Sequence, residues 1–492
     1  MTNFLFTIVL LLSTATESLA TEAVETLSRR SIPWQPYTGT AFDGRPIQGE
    51  LGRLQVPENR TRPGSSTIEL AFVRYRTSHP NPGPPIFFLI GGPGGSGVEH
   101  AAHIATHPQI RLLEHADVIG LDQRGTGLTI PNLMEPETPV YLPLDRALDR
   151  DDYLIALDDA MLRLVADWRA QGVDLSAYNT VESADDIDAV RQALGVNQIV
   201  LYGSSYGSHL GLAYLRRHGE SVARAVLSKV EGPDHTWKLP STVQRHLEAL
   251  HHQLAGDPAV AETLPDLQGA IRRLLTRLEE APVTVPGADG EPAITLGPLD
   301  LQIELSRALG NSQLIAALPA ALHRLEQGDW SELASAAREN RQLGIPAMTL
   351  MMDCASGASE SRRHRIAIET RDPGYLLGDA IMAPFYPEAC KNSLADLVPA
   401  ELGESFRAPF SSDVPVMFTS GTLDVRTPIE NVDEILDGFP NAVHVVVENA
   451  GHESRELMSP DYRDLFQAFL RGEPIESCRV TLPEPIFEEI GD

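Results

Sequence analysis

Cysteine is almost absent from this chain of 492 residues: Cys354, Cys390 and Cys478 are the whole set. None belongs to a Cys-x-x-Cys pair, and no metal-ligand spacing is present, so a disulfide scaffold, a zinc ribbon and a dithiol redox site are excluded. An odd count allows at most one intrachain disulfide. Cys354 and Cys390 flank one compact segment and are the pair expected in an exported chain; two buried thiols are the alternative. Basic residues are also scarce, 39 Lys plus Arg against 68 Asp plus Glu, a formal net charge of −29. A surface of that sign disfavours nucleic acid and anionic membranes as partners. It suits amine-bearing substrates, although solubility accounts for it equally well. Repeats and low-complexity tracts are missing. The apolar run Phe4 to Leu12 is too short to span a bilayer. It leads into Ser18-Leu19-Ala20, with small residues where a signal peptidase reads, so residues 1–20 are expected to be a secretory signal peptide. No Lys or Arg precedes the run, and a retained anchor or buried first helix is the alternative.

What remains is long enough for a large domain with an insertion. Leu51 to Val56 and Thr67 to Tyr75 read as an antiparallel hairpin, with residues 21–50 a polar leader before it. Then come short, wholly apolar runs: Ile86 to Ile90, Val118 to Leu121, Gln198 to Tyr202, Ala225 to Leu227, Val414 to Thr419 and Val443 to Val447. Strands that are apolar on both faces, separated by helical stretches, predict a mostly parallel sheet flanked by helices. The rhythm breaks between residues 235 and 405. There Val243, Leu247, Leu250, Leu254, then Leu267, Ile271, Leu274, Leu278, then Leu314, Leu318, Leu322, Leu325 recur at helical spacing, and Asp329 reads as an N-cap. The expected organisation is an α/β core over 21–234 and 406–492, with a helical cap inserted at 235–405.

The strand Gln198 to Tyr202 runs into Gly203-Ser204-Ser205-Tyr206-Gly207 and then an apolar helix. This is G-x-S-x-G in the strand-turn-helix setting that exposes a serine at a helix N-terminus. A serine hydroxyl needs a base, usually histidine, itself oriented by a carboxylate. Asp424 and His452 each follow a later strand and are 28 residues apart, room for one helix and one strand. Asp413 and Asp433 are rival acids, but neither sits at a strand's carboxyl end. The candidate triad is Ser205, His452 and Asp424. An oxyanion site is expected from the Tyr206 amide together with Gly91 or Gly92, in the loop Gly91-Gly92-Pro93-Gly94-Gly95-Ser96-Gly97. Gly92, Gly94 and Gly97 also spell G-x-G-x-x-G after a strand, with Asp122 placed where a ribose-binding acid would lie. That dinucleotide reading leaves Ser205, Asp424 and His452 unexplained. The triad chemistry requires neither a metal nor an organic cofactor.

These motifs, with Asp122-Gln123-Arg124-Gly125-Thr126-Gly127, resemble the prolyl iminopeptidase and secreted tripeptidyl aminopeptidase group of α/β-hydrolases over residues 50 to 478. The resemblance implies an α/β-hydrolase fold and release of short pieces from peptide N-termini, often with proline preference. It implies a cysteine pair at Cys354 and Cys390, as secreted members often carry. It also implies that acidic residues bind the substrate's free amine, for which Glu231 is the candidate. The chain departs from strict iminopeptidases at Ile90, where they carry histidine before Gly-Gly-Pro. The expected function is an exported serine aminopeptidase. A carboxylic-ester hydrolase with the same triad and a non-catalytic binder on this scaffold are the alternatives.

Overall fold

Short runs rich in Val, Ile, Leu and Phe build one ten-stranded sheet in the computed structural model, which describes residues 32–287, 290–385, 388, 390 and 401–488. The expected signal peptide at 1–20 lies outside the described residues. The strands of the sheet are β1 (Gln35–Thr40), β2 (Pro46–Pro57), β3 (Thr67–Tyr75), β4 (Ile86–Leu89), β5 (Val118–Leu121), β7 (Ile199–Ser204), β8 (Val222–Ser228), β12 (Val416–Gly421), β13 (Ala442–Glu448) and β14 (Cys478–Thr481). Their order is β1-β2-β3-β5-β4-β7-β8-β12-β13-β14. Pairing is antiparallel from β1 to β5 and parallel from there to β14. Two small antiparallel pairs stand apart: β6 (Thr138–Tyr141) with β11 (Gln342–Ile345), and β9 (Val283–Val285) with β10 (Ile294–Leu296).

Helices of nine or more residues cover both faces. On one face α1 (Gly97–Ala105) and α12 (Pro460–Arg471) pack Ala101, Ala102, Phe466 and Phe469 against Val73, Val118 and Val445. On the other, α2 (Arg150–Ala170), α3 (Thr180–Ala193) and α4 (Tyr206–His218) pack Leu157, Ile187 and Leu212 against Leu70, Phe87 and Leu201. β4, β5 and β12 are therefore buried at every residue, which explains their unbroken apolar sequences. β3 keeps the two-residue period: Ile68, Leu70 and Phe72 face one cluster, and Ala71, Val73 and Tyr75 the other.

Between β8 and β12 the chain is mainly helical. α5 (Pro240–Ala255), α6 (Leu267–Glu280), α7 (Pro298–Ala308), α8 (Ser312–Gln327) and α9 (Ser331–Asn340) enclose a second core around Leu247, Ile271, Leu274 and Leu322. α10 (Ala347–Ser356) belongs elsewhere: Met348, Met351 and Met352 join the cluster that contains Tyr206 and Leu227. α11 (Glu360–Glu369) follows it. Cys354 on α10 is disulfide-bonded to Cys390, with Cα atoms 5.6 Å apart, and Cys478 is free.

Three local expectations are corrected. The stretch 21–50, expected as a leader, contributes β1 and the start of β2; β1 is an edge strand with mostly exposed side chains, held by main-chain pairing that leaves no apolar alternation to read. Leu314 is exposed, and Ile315 takes the buried place, because Ile315, Leu318, Leu322 and Leu325 form the helical stripe. Asp329 sits one residue before the cap position, which Trp330 occupies, and its carboxylate accepts hydrogen bonds from the Ser331 amide and hydroxyl.

The Asp122-Gln123-Arg124-Gly125 segment is an internal brace. Arg124 is fully buried and donates to both Asp186 carboxylate oxygens on α3, at 2.8 and 2.9 Å, and to the carbonyls of Glu58 and Ala177. Removing one partner of a buried ion pair costs about 3–5 kcal/mol. Arg124→Met is expected to lower the unfolding free energy by that amount in chemical denaturation; a change under ~1 kcal/mol contradicts this account.

Candidate active site

β7 ends in the turn that presents Ser205. Its backbone has φ 57° and ψ −131°, a strained conformation for a residue with a side chain, and its amide donates to the Ser228 carbonyl at 3.1 Å. The turn is possible because two neighbours lack side chains. A methyl group at Gly207 would lie 2.0 Å from the Leu89 carbonyl oxygen, and one at Gly203 would lie 2.5 Å from the Gly207 carbonyl oxygen. Helix α4 begins at Tyr206, so the first amides point into the space beside Ser205.

Asp424 follows β12 and His452 follows β13, the neighbouring parallel strand. The His452 Nδ1–H donates to Asp424 Oδ2 at 2.9 Å, which leaves Nε2 to accept from the Ser205 hydroxyl at 3.1 Å. Asp424 is completely buried and also accepts from the Arg426 amide, the Thr427 amide and the Thr427 hydroxyl. Burial opposes its charge, but His452 and the Thr427 donors hold its carboxyl below the usual range. The histidine's backbone is fixed from the insertion: the His452 amide donates to the Gly310 carbonyl at 2.8 Å. Downstream, Lys229 pairs with Glu456 at 2.9 Å, both nearly buried, and ties that loop to the end of β8.

The glycine loop lies over Ser205. A methyl group on Gly91 would stand 3.0 Å from Ser205 Cβ, and Gly92 lines the same cavity as Ser205 and His452. Sequence reading left open which glycine supplies an amide, and both are adjacent to the serine. Thr349 on α10 braces the loop by donating to the Pro93 carbonyl at 2.9 Å. Asp122 is buried and spent on this frame, accepting from the Ser96 hydroxyl and the Val98 and Leu128 amides. It is therefore not a free ribose-binding acid. His209 is an internal residue, its ring nitrogens facing the Gly232 carbonyl and the Ser356 hydroxyl.

The cavity over Ser205 is about 420 Å³ and is lined by Gly92, Glu231, Lys238, Arg426 and His452 among others. A larger depression of about 1270 Å³ opens at the opposite ends of the strands, beside Ile86 and Arg224, and holds none of these residues. Glu231 is buried after β8 and bonds to Lys238 Nζ at 2.7 Å. Burial opposes its charge, but Lys238 and His209 outweigh that and hold it below the usual range. Asp353, on α10, was not singled out by the sequence because the Met-rich helix around it reads as core. Burial, reinforced by the Glu231 carboxylate and opposed by Lys238, pushes Asp353 up to about 7. Lys238 was missed too, as a lone lysine in a loop carries no pattern.

A strained serine at a strand-helix turn, followed by an acid and a histidine at later strand ends, defines the α/β-hydrolase class of enzyme architecture. The chain belongs to that family: residues 84–456 match the alpha/beta hydrolase fold. It is 30% identical over 213 residues to the serine protease Hip1 of Mycobacterium tuberculosis, covering 41% of this chain and 40% of that protein. It is 27% identical over 220 residues to the tripeptidyl aminopeptidase of Streptomyces coelicolor, covering 43% and 40%. It is 30% identical over 148 residues to the proline iminopeptidase of Neisseria gonorrhoeae, covering 30% and 32%. The matched segment spans about two fifths or less of the length of these relatives.

Asp353 makes stability depend on pH. Its folded-state pKa of about 7 lies above that of an unfolded aspartate, ~3.9. Its contribution to stability is full below about pH 4 and is lost as pH rises through about 7. Asp353→Asn should therefore gain stability relative to the parent at pH 8 compared with pH 4.5, measured by denaturant midpoints. A difference independent of pH contradicts the assignment.

Proposed function

We propose that this chain is an exported serine-type aminopeptidase that releases short N-terminal pieces from peptides. The observation that carries the reading is the continuous hydrogen-bonded line Asp424–His452–Ser205, opening on a cavity that also holds Glu231. Ser205 Oγ attacks the scissile carbonyl as its proton passes to His452 Nε2, and Asp424 steadies the resulting imidazolium. The oxyanion is held by the Tyr206 amide and an amide of Gly91 or Gly92. His452 returns the proton to the leaving amine, and water then hydrolyses the acyl-enzyme by the same relay. Glu231 is the carboxylate that lines this cavity, and it is paired there with Lys238. Its carboxylate is the acceptor for the cationic amine of a peptide N-terminus. Names of the relatives, among them a tripeptidyl aminopeptidase and a proline iminopeptidase, support peptide as substrate. Export is supported by the apolar run in residues 1–20 and by the Cys354–Cys390 disulfide, a bond of oxidising compartments.

One observation favours a second reading. Lys238 already neutralises Glu231, and a carboxylic ester needs no ammonium anchor. Matched peptide amides with free and acetylated N-termini, run beside short acyl esters, separate the two. The aminopeptidase reading expects free-amine peptides to exceed blocked ones at least tenfold in kcat/KM, and Glu231→Gln to lower that value about ten- to a hundredfold through KM. Faster turnover of blocked peptides or of simple esters contradicts it.

A further inference from the structure

The cavity over Ser205 carries an unexpected sign of charge. In a chain of net charge −29, Lys238, Arg307 and Arg426 all line it. Lys238 is taken by Glu231. The two arginines are not equivalently taken. Arg307, in the last turn of α7, has Glu304 at 3.4 Å as its neighbour, and the same Glu304 oxygen also accepts from Asn340. Arg426 is exposed and forms no ion pair among the described residues. Its guanidinium rests against Gly310, so close that a methyl group there would lie 3.0 Å from Arg426 Nε. Gly310 is the residue whose carbonyl holds the His452 backbone. Arg426 and the end of α7 thus meet beside the histidine.

The independent sign of a ligand is Ser306. It lines the same cavity, is 2% exposed, and its hydroxyl has no hydrogen-bond partner among the described residues. An unsatisfied buried hydroxyl costs about 1–3 kcal/mol, which a ligand oxygen in the cavity would offset. A buried hydroxyl and two guanidinium groups lining one cavity suit a carboxylate, whose oxygens accept hydrogen bonds from both kinds of donor and pair with arginine in a forked geometry. The acidic outer surface does not cancel this, because charges beyond a Debye length of about 8–10 Å are screened. We infer that Ser306, Arg307 and Arg426 form a carboxylate-binding subsite, so that the favoured substrate carries a negative charge near the scissile bond. Its chemical class is a short acyl compound bearing either an acidic side chain or a free terminal carboxylate. The inference rests on the reading of Ser205 as the nucleophile but not on the choice between peptide and ester.

The test is a matched substrate set. Free-amine peptides are paired as terminal acid against terminal amide, and as Glu against Gln near the scissile bond; esters are paired as carboxylate-bearing against neutral. The expected result is about a tenfold preference in kcat/KM for one carboxylate source, expressed in KM and weakened by salt. The preference ratio should fall to near one in Arg426→Gln, and part-way in Arg307→Gln and Ser306→Ala, so that a folding defect in one variant does not decide the matter. Preference for the terminal acid identifies a peptide end, and preference for Glu identifies an acidic side chain. Equal rates on every pair, or a preference that survives in all three variants, overturns the subsite while leaving the aminopeptidase reading intact. A carboxylate preference seen with esters alone supports the subsite and removes the aminopeptidase reading. If nothing turns over, the same compounds are scored as protectants of Ser205 against a fluorophosphonate, where equal protection by charged and neutral members overturns it.

Discussion

At Gly207 a methyl group would sit 2.0 Å from the Leu89 carbonyl oxygen, so helix α4 can begin where it does only because that position has no side chain. The same closeness brings the glycine loop after β4 onto Ser205, since β4 and β7 are hydrogen-bonded neighbours. It also fixes what the other strands must supply. β8 carries Glu231 and Lys229 beyond its end, β12 carries Asp424 and β13 carries His452, each at the carboxyl end of a parallel strand. A parallel sheet aligns those ends, so side chains hundreds of residues apart reach one cavity without any long loop.

The loops at that edge are held by buried polar contacts rather than by packing alone. Asp122 ties the start of α1 to the segment after β5, Lys229 ties the histidine loop to β8, and Gly310 fixes His452 from the helical insertion. A triad needs such support, because misplacing a reacting group by about 1 Å can cost two orders of magnitude in rate. The insertion thus serves as wall and as frame. Its first helices have their own core, whereas α10 packs on the sheet, braces the glycine loop through Thr349 and brings Asp353 towards Glu231.

Legibility in the sequence followed the physics of each feature. The apolar runs of β4, β5 and β12 and the G-x-S-x-G turn are local, and they read directly. Asp424 and His452 were readable because a parallel sheet repeats one geometry at each strand end. β1 was not, since an edge strand is stabilised by main-chain hydrogen bonds that impose no side-chain pattern. Leu314 and Ile315 are both apolar, and only the phase of the helix decides which is buried. Asp353, Lys238, Ser306 and Arg426 had no signal at all. Lys238, Ser306 and Arg426 take their meaning from a cavity assembled by α7 and the segments after β8 and β12, Asp353 takes its own from burial near Glu231, and nothing in their spacing announces either meeting.

We read Ser205 as a nucleophile activated by His452 under the direction of Asp424. Covalent labelling by a fluorophosphonate, mapped by peptide mass, tests it most directly. A single adduct on Ser205 is expected, one that vanishes in Ser205→Ala and forms far more slowly in His452→Ala. Absence of labelling in the intact chain, or an adduct that persists in Ser205→Ala, would contradict it.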